Sequence, residues 1–137
     1  DVQTAMTVSW VMFGSDGRGL KTETVKGKQH PRSYGTFPRV LARYVRELKL
    51  LRLEEAIRKM TSLPAMRHDI KDRGLVKEGM RADLVVFDPD TVEDKATFDD
   101  PHKYAQGIDW VIVNGVPVIE DGKHTGARPG MVLRKNN

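Results

Sequence analysis

Hydrophobic and polar positions change their period along the chain, and each change marks an element. Val8-Ser9-Trp10-Val11-Met12-Phe13 is a short apolar run rich in β formers, closed by Gly14-Ser15-Asp16-Gly17. Such a run predicts a strand buried on both faces, as in a parallel sheet, followed by a turn. Residues 18–35 show no clear period and predict a loop. Phe37, Val40, Leu41, Tyr44, Val45 and Leu48 then fall on one helical face. Thr36 is the expected cap of that helix, and Pro38 is tolerated in its first turn. Leu53, Ala56, Ile57 and Met60 predict a second helix, with Glu54–Arg58 and Glu55–Lys59 as surface pairs one turn apart. Residues 61–66 predict a short third helix.

Beyond residue 67 the period becomes that of strands. Residues 82–89 read as a strand closed by Pro89. Residues 109–113 and 116–119 flank Asn114-Gly115, the strongest short hairpin signal, since both turn positions require positive φ. Pro117 places its strand at an edge or a bulge. Asp121-Gly122 reads as another turn, and residues 131–134 as a last strand. The pattern is one isolated apolar strand, then helices, then a small antiparallel sheet. A parallel strand needs neighbours, and this one has none nearby in sequence.

Length and composition narrow the reading. With 137 residues the chain fits one domain, well short of the roughly 200 or more residues of a complete eight-unit β/α barrel. It has no cysteine, which excludes disulfides, thiol nucleophiles and cysteine-ligated zinc from within the chain. That fits a reducing compartment, and a cytoplasmic location is the expectation. No apolar run approaches the roughly 18 residues of a membrane span, and no signal peptide is recognised. The 23 basic and 19 acidic residues leave a net charge of +4. This is compatible with a nucleic-acid partner but makes one a weak expectation. Arg39, Arg43, Arg46 and Lys49 form a basic helical stripe that reads as a solvated face. The alternative reading is a stand-alone polyanion-binding module.

Candidate chemistry is sparse. His30, His68, His102 and His124 lack the close spacing of a metal motif, and no metal ligands are expected in this chain. His68, His102 and His124 read as surface or structural. Asp16 follows the C-terminal end of an apolar strand, where a β/α barrel carries its catalytic groups. Taken by position, it is either a proton-transferring carboxylate or simply a turn residue.

Phe13-Gly14-Ser15-Asp16-Gly17 is followed by His30-Pro31-Arg32-Ser33-Tyr34-Gly35-Thr36-Phe37-Pro38-Arg39. Together these blocks resemble the N-acyl-D-amino-acid deacylases, or D-aminoacylases, of the metal-dependent amidohydrolase superfamily. The resemblance continues through Thr61-Ser62-Leu63-Pro64-Ala65, Lys71-Asp72-Arg73-Gly74 and the stretch from Gly79 to Asp88. It runs on to Val113-Asn114-Gly115 and Thr125-Gly126-Ala127-Arg128-Pro129-Gly130. Met66-Arg67-His68-Asp69-Ile70 departs from the family by being more polar.

The resemblance implies an α/β plus β fold that is the C-terminal part of a larger enzyme. Residues 1–66 would supply the last barrel strand, the catalytic loop and the closing helices. Residues 67–137 would supply the C-terminal portion of a small β domain. Zinc would be held by a cysteine and histidines of a missing N-terminal part, which is thus the expected partner. Asp16 would act as general acid/base on the zinc-bound water. Ser15, His30 and Arg32 would shape the pocket or orient charge. The substrate would be a small N-acyl-D-amino acid, and the chain alone is expected to be inactive. An unpaired strand and a half-built β domain also predict homo-oligomers through exposed apolar surface.

Overall fold

The computed structural model of this chain describes residues 1–19 and 27–134, so part of the loop expected over 18–35 lies outside the described residues. Four α-helices come first: α1 (Val2–Thr7), α2 (Arg32–Arg39), α3 (Leu53–Met60) and α4 (Ser62–Arg67). Four strands follow: β1 (Leu84–Phe87), β2 (Ile108–Val113), β3 (Val116–Glu120) and β4 (Lys123–His124). They pair antiparallel in the order β1-β2-β3-β4. The small antiparallel sheet after a helical half is as expected.

The hairpin follows from its turn chemistry. Asn114 and Gly115 adopt φ of 48° and 80°, the positive values a two-residue primed turn requires. Asp121 and Gly122 do the same between β3 and β4, at 47° and 71°. The register between β2 and β3 shifts between Val111 and Ile112, and Pro117 stands opposite Ile112 beside the shift. The proline that lacks an amide donor therefore sits at a bulge.

Several elements depart from expectation. The strand expected over residues 8–13 does not form: α1 runs to Thr7, and the described part of the segment beyond it pairs with no strand. No described strand lies alongside it. Instead its Phe13 amide donates to the Lys59 carbonyl at 3.1 Å. Trp10 is left 75% exposed. The residues 131–134 expected as a last strand form none either.

The first long helix begins at Arg32, four residues before the expected cap. Thr36 lies inside it, its hydroxyl donating back to the Arg32 carbonyl at 2.9 Å. Pro38 therefore occupies the second turn, with no amide to donate. Immediately beyond, Val40–Glu47 continues as a wider π-helix. Lys49, at φ 49°, turns the chain out of the helix.

The buried helical core gathers Met6, Val40, Leu51 and Ala56, with Phe13, Tyr44, Val45, Leu50 and Met60 packed around it. It joins α1, the π-helical turn and α3, and so fixes the base from which residues 11–19 emerge. The sheet has no comparable interior. Val85 and Val86 are each about half exposed, at 53% and 51%. The two halves meet at residues 88–94, where Arg46 donates to the carbonyls of Pro89 (3.1 Å) and Val92 (2.7 Å).

Candidate functional site

Ser15-Asp16-Gly17 and His30-Pro31-Arg32 lie far apart in sequence but meet in space. The second block forms the start of α2. The His30 carbonyl accepts from the Ser33 amide at 3.1 Å, and that of Pro31 from Tyr34 and Gly35 at 3.0 and 2.9 Å. Those bonds set the chain into its first helical turn, with proline supplying a helix-compatible φ. Arg32 is thereby projected from a rigid element.

Asp16 adopts φ 48°, a left-handed conformation that aspartate tolerates better than most residues. Arg32 grips it twice. Nη2 lies 2.9 Å from the Asp16 carboxylate, and Nε donates to the Asp16 carbonyl at 3.1 Å. The Asp16 side chain is otherwise open, 84% exposed. Ser15 closes the turn by accepting the Gly17 amide at its hydroxyl, at 3.1 Å. Gly17 permits the approach: a Cβ there would lie 3.0 Å from Ser33 Cα and 3.3 Å from the Ser15 hydroxyl.

His30 joins through its ring. The Arg32 amide donates to Nδ1 at 3.0 Å, so this nitrogen carries the lone pair and Nε2 the proton of the neutral ring. Phe98 packs edge-on against His30, with centroids 5.0 Å apart. All four candidate residues (Ser15, Asp16, His30 and Arg32) are therefore neighbours along one short path.

Groups from the loop between β1 and β2 also reach this path, and no motif or spacing marks them. Phe98 is one. His102 is another, its Nε2 3.2 Å from the Gly27 carbonyl and its Nδ1 3.1 Å from the Tyr34 hydroxyl. A carbonyl only accepts, so Nε2 donates, and in the neutral ring Nδ1 accepts from Tyr34. Tyr34 also packs edge-on against Tyr104, at 5.9 Å. Phe98, His102 and Tyr104 follow the end of β1 with no periodicity that would have marked them. His102 thus ties Gly27 to Tyr34, whereas His124 accepts the exposed Gly126 amide at 2.8 Å.

Arg39, Arg43 and Lys49 of the basic stripe are exposed, as a solvated face requires, and only Arg46 is half-buried. Arg39 pairs with Asp94 at 3.2 Å, Arg43 with Glu47 at 2.7 Å, and Arg46 is bound to carbonyls. The bond to Asp94 raises the Arg39 pKa against the opposing effect of burial. Three of the four cations that motivated the polyanion alternative already hold partners within the chain.

A zinc site needs several converging ligands. Among the described residues, no group of three or more His, Asp or Glu side chains could hold a metal ion. These residues alone do not fit a zinc centre. Among them too, no helix is long and apolar enough to cross a membrane.

Residues 11–119 match the amidohydrolase family. The chain belongs to that family. It is 47% identical to the D-aminoacylase of Alcaligenes xylosoxydans xylosoxydans, over 98% of this chain and 27% of the relative. It is 54% identical to the N-acyl-D-aspartate deacylase of the same organism, over 97% of this chain and 26% of that one. A crystal structure of D-aminoacylase, one that defines a novel subset of amidohydrolases, superposes with a TM-score of 0.84 at 48% identity, over 92% of this chain and 26% of that chain. The N-acyl-D-glutamate deacylase of Bordetella bronchiseptica, solved with zinc and a phosphonate mimic of the tetrahedral intermediate, gives 0.76 at 47% identity, over 90% and 25%. This chain spans about a quarter of the length of the curated relatives it matches.

Proposed function

We propose that this chain forms the C-terminal part of a zinc-dependent amidohydrolase that cleaves the amide of N-acyl-D-amino acids. The products are a carboxylate and a free D-amino acid. Residues 1–66 would complete a β/α barrel, with residues 8–13 pairing as its last strand once neighbours are present. Residues 67–137 would form the C-terminal portion of the small β domain. Chains lacking the N-terminal part would associate through exposed side chains such as Trp10. A cytoplasmic location belongs to the same proposal.

The observation that carries the reading is a carboxylate on a strained turn, held by one arginine and otherwise open. In the proposed reaction the oxygen of water bonds to the acyl carbon and Asp16 takes the water's proton. Asp16 then returns a proton to the nitrogen as the carbon–nitrogen bond breaks. One water is consumed and the carboxylate is restored. Arg32, fixed by α2, keeps the carboxylate aimed, and Ser15 holds the turn. His30 buttresses Arg32 through its backbone. Zinc, when bound, would polarise the acyl carbonyl and acidify the water, but its ligands would come from segments other than those described. The lone chain is accordingly proposed to be inactive.

The test is Asp16→Asn in the complete enzyme, assayed on N-acyl-D-amino acids. Asparagine also tolerates positive φ, so the turn should persist. Turnover should fall by about 10²–10⁴-fold, the usual worth of a positioned proton carrier. Near-wild-type turnover would remove Asp16 from the reaction.

A further inference from the structure

Lys59 reads in the sequence as a surface partner of Glu55, yet its side chain is 0% exposed. Its ammonium donates to the Val8 carbonyl and, at 2.8 Å, to the Val11 carbonyl. It also stands 3.8 Å from the Glu55 carboxylate and 5.9 Å from the centre of the Phe13 ring. The backbone of the same residue accepts the Phe13 amide at 3.1 Å. Burying a charged amine is costly unless its donors are satisfied. A surface ion pair needs no such burial, and neighbouring Arg58 already pairs with Glu55 at 2.8 Å.

The placement has a consequence for the catalytic turn. No described strand pairs with the segment before Asp16, and α3 holds its Val8, Ser9 and Val11 carbonyls and its Phe13 amide. Lys59 anchors that segment at three points, the last at Phe13. Asp16 lies three residues further, within about 10 Å of extended chain. Phe13 itself packs on the core of Met6, Val40, Leu51 and Ala56. Arg32 holds Asp16 from one side, and Lys59 fixes the chain that delivers it from the other.

We infer that Lys59 is a positioning residue for Asp16: each carbonyl has a second lone pair, so its grip on Val8 and Val11 persists when residues 8–13 pair with neighbouring strands, registering the segment on α3 so that the carboxylate meets Arg32 and the substrate. This rests on the deacylase reading of Asp16. The mechanism otherwise leaves this buried lysine without a task.

Lys59→Met in the complete enzyme keeps the apolar stem and removes the donors. Displacement of a reacting group by about 1 Å costs about a hundredfold. We therefore expect kcat to fall between about tenfold and a hundredfold, with KM within about twofold. In the 137-residue chain, hydrogen exchange of the amides over 9–17 should accelerate while α2 and the sheet stay unchanged. Lys59→Gln serves for both readings if the methionine variant does not fold. An unchanged kcat in a folded variant overturns the inference. So does a uniform rise in exchange with kcat and KM moving together, the mark of a merely stabilising lysine. Absence of deacylase activity in the wild-type enzyme would instead refute the proposed reaction, and the exchange pattern would still decide whether Lys59 registers the turn.

Discussion

Gly17→Ala is the sharpest probe of how the Ser15-Asp16-Gly17 turn is seated. Gly17 does not adopt positive φ, so alanine suffers no backbone penalty there. The consequence is purely spatial. The new methyl would meet Ser33 Cα at 3.0 Å, the Ser15 hydroxyl at 3.3 Å and the Arg32 carbonyl at 3.6 Å. The closest of these is backbone on α2, which cannot swing aside like the end of a side chain. The turn must therefore retreat by a few tenths of an ångström. Overpacking costs about 1–3 kcal/mol in a core, and this exposed turn belongs at the low end, about 1 kcal/mol. For a chain of this size that lowers Tm by about 3–5 °C. Gly14→Ala is the control, because nothing among the described residues lies within 4 Å of its Cβ position. Thermal melts of both variants of the chain give the structural half of the test. Turnover of the complete enzyme gives the other: retreat moves Asp16 relative to Arg32, and kcat should drop about three- to tenfold. A Gly17→Ala protein with wild-type Tm and kcat would refute the close seating of the turn on α2.

Asp83 should be important to stability, not chemistry. It pairs with Arg73 and accepts the Asn114 amide at 2.7 Å, while Arg73 also donates to the Asn114 side chain at 2.6 Å. Burial works against the Asp83 carboxylate, but the Asn114 amide and Arg73 outweigh it and lower its pKa. Asp83→Asn should cost about 1–2 kcal/mol by urea denaturation at neutral pH, the low end for a buried donor robbed of its partner, since Asp83 is itself one-third exposed, at 33%. Because the folded pKa is depressed, this stabilisation is complete above the unfolded value of about 3.9 and is lost as pH falls through the lower folded value. Asp88, lowered by the Asp90 amide, adds to the same acid loss. The variant should therefore show a shallower decline below that point, and an unchanged acid limb would count against the network. Finally, gel-shift titration of the chain against an oligonucleotide at low salt should show no retardation, because Arg39, Arg43 and Arg46 are engaged. Binding that weakens steeply with salt would reinstate the polyanion alternative.

What could be read from the chain was mostly local. The Asn114-Gly115 turn needs only its own residues to adopt positive φ, and the helical faces around Val40 and Ala56 need only their spacing. What failed was non-local. The run from Val8 to Phe13 states that the segment seeks burial, but periodicity does not name the neighbour. Within this chain α3 takes the place of flanking strands. Spacing likewise put Lys59 on a charged surface stripe and Arg46 on a solvated one. Which face meets the core is decided by elements up to about fifty residues away, at Val8 and Val92.

The candidate site divides along the same line. Ser15-Asp16-Gly17 is intelligible by itself: serine closes the turn, aspartate accepts left-handed φ, and glycine leaves room for α2. That aspartate needs Arg32, which follows sixteen residues later, is not implied by either block alone. The resemblance to deacylases linked the two, and the ion pair supplies the physical reason. A carboxylate that must both accept and return a proton has to be held by something that does not consume its free oxygen. A single arginine, itself fixed by a helix start and by the His30 ring, does this while leaving the side chain open. The contacts of Phe98 and His102 then explain why the loop between β1 and β2 belongs to the site. It braces His30 and Tyr34 from the far half of the chain, so the sheet contributes to the geometry of a turn it never touches.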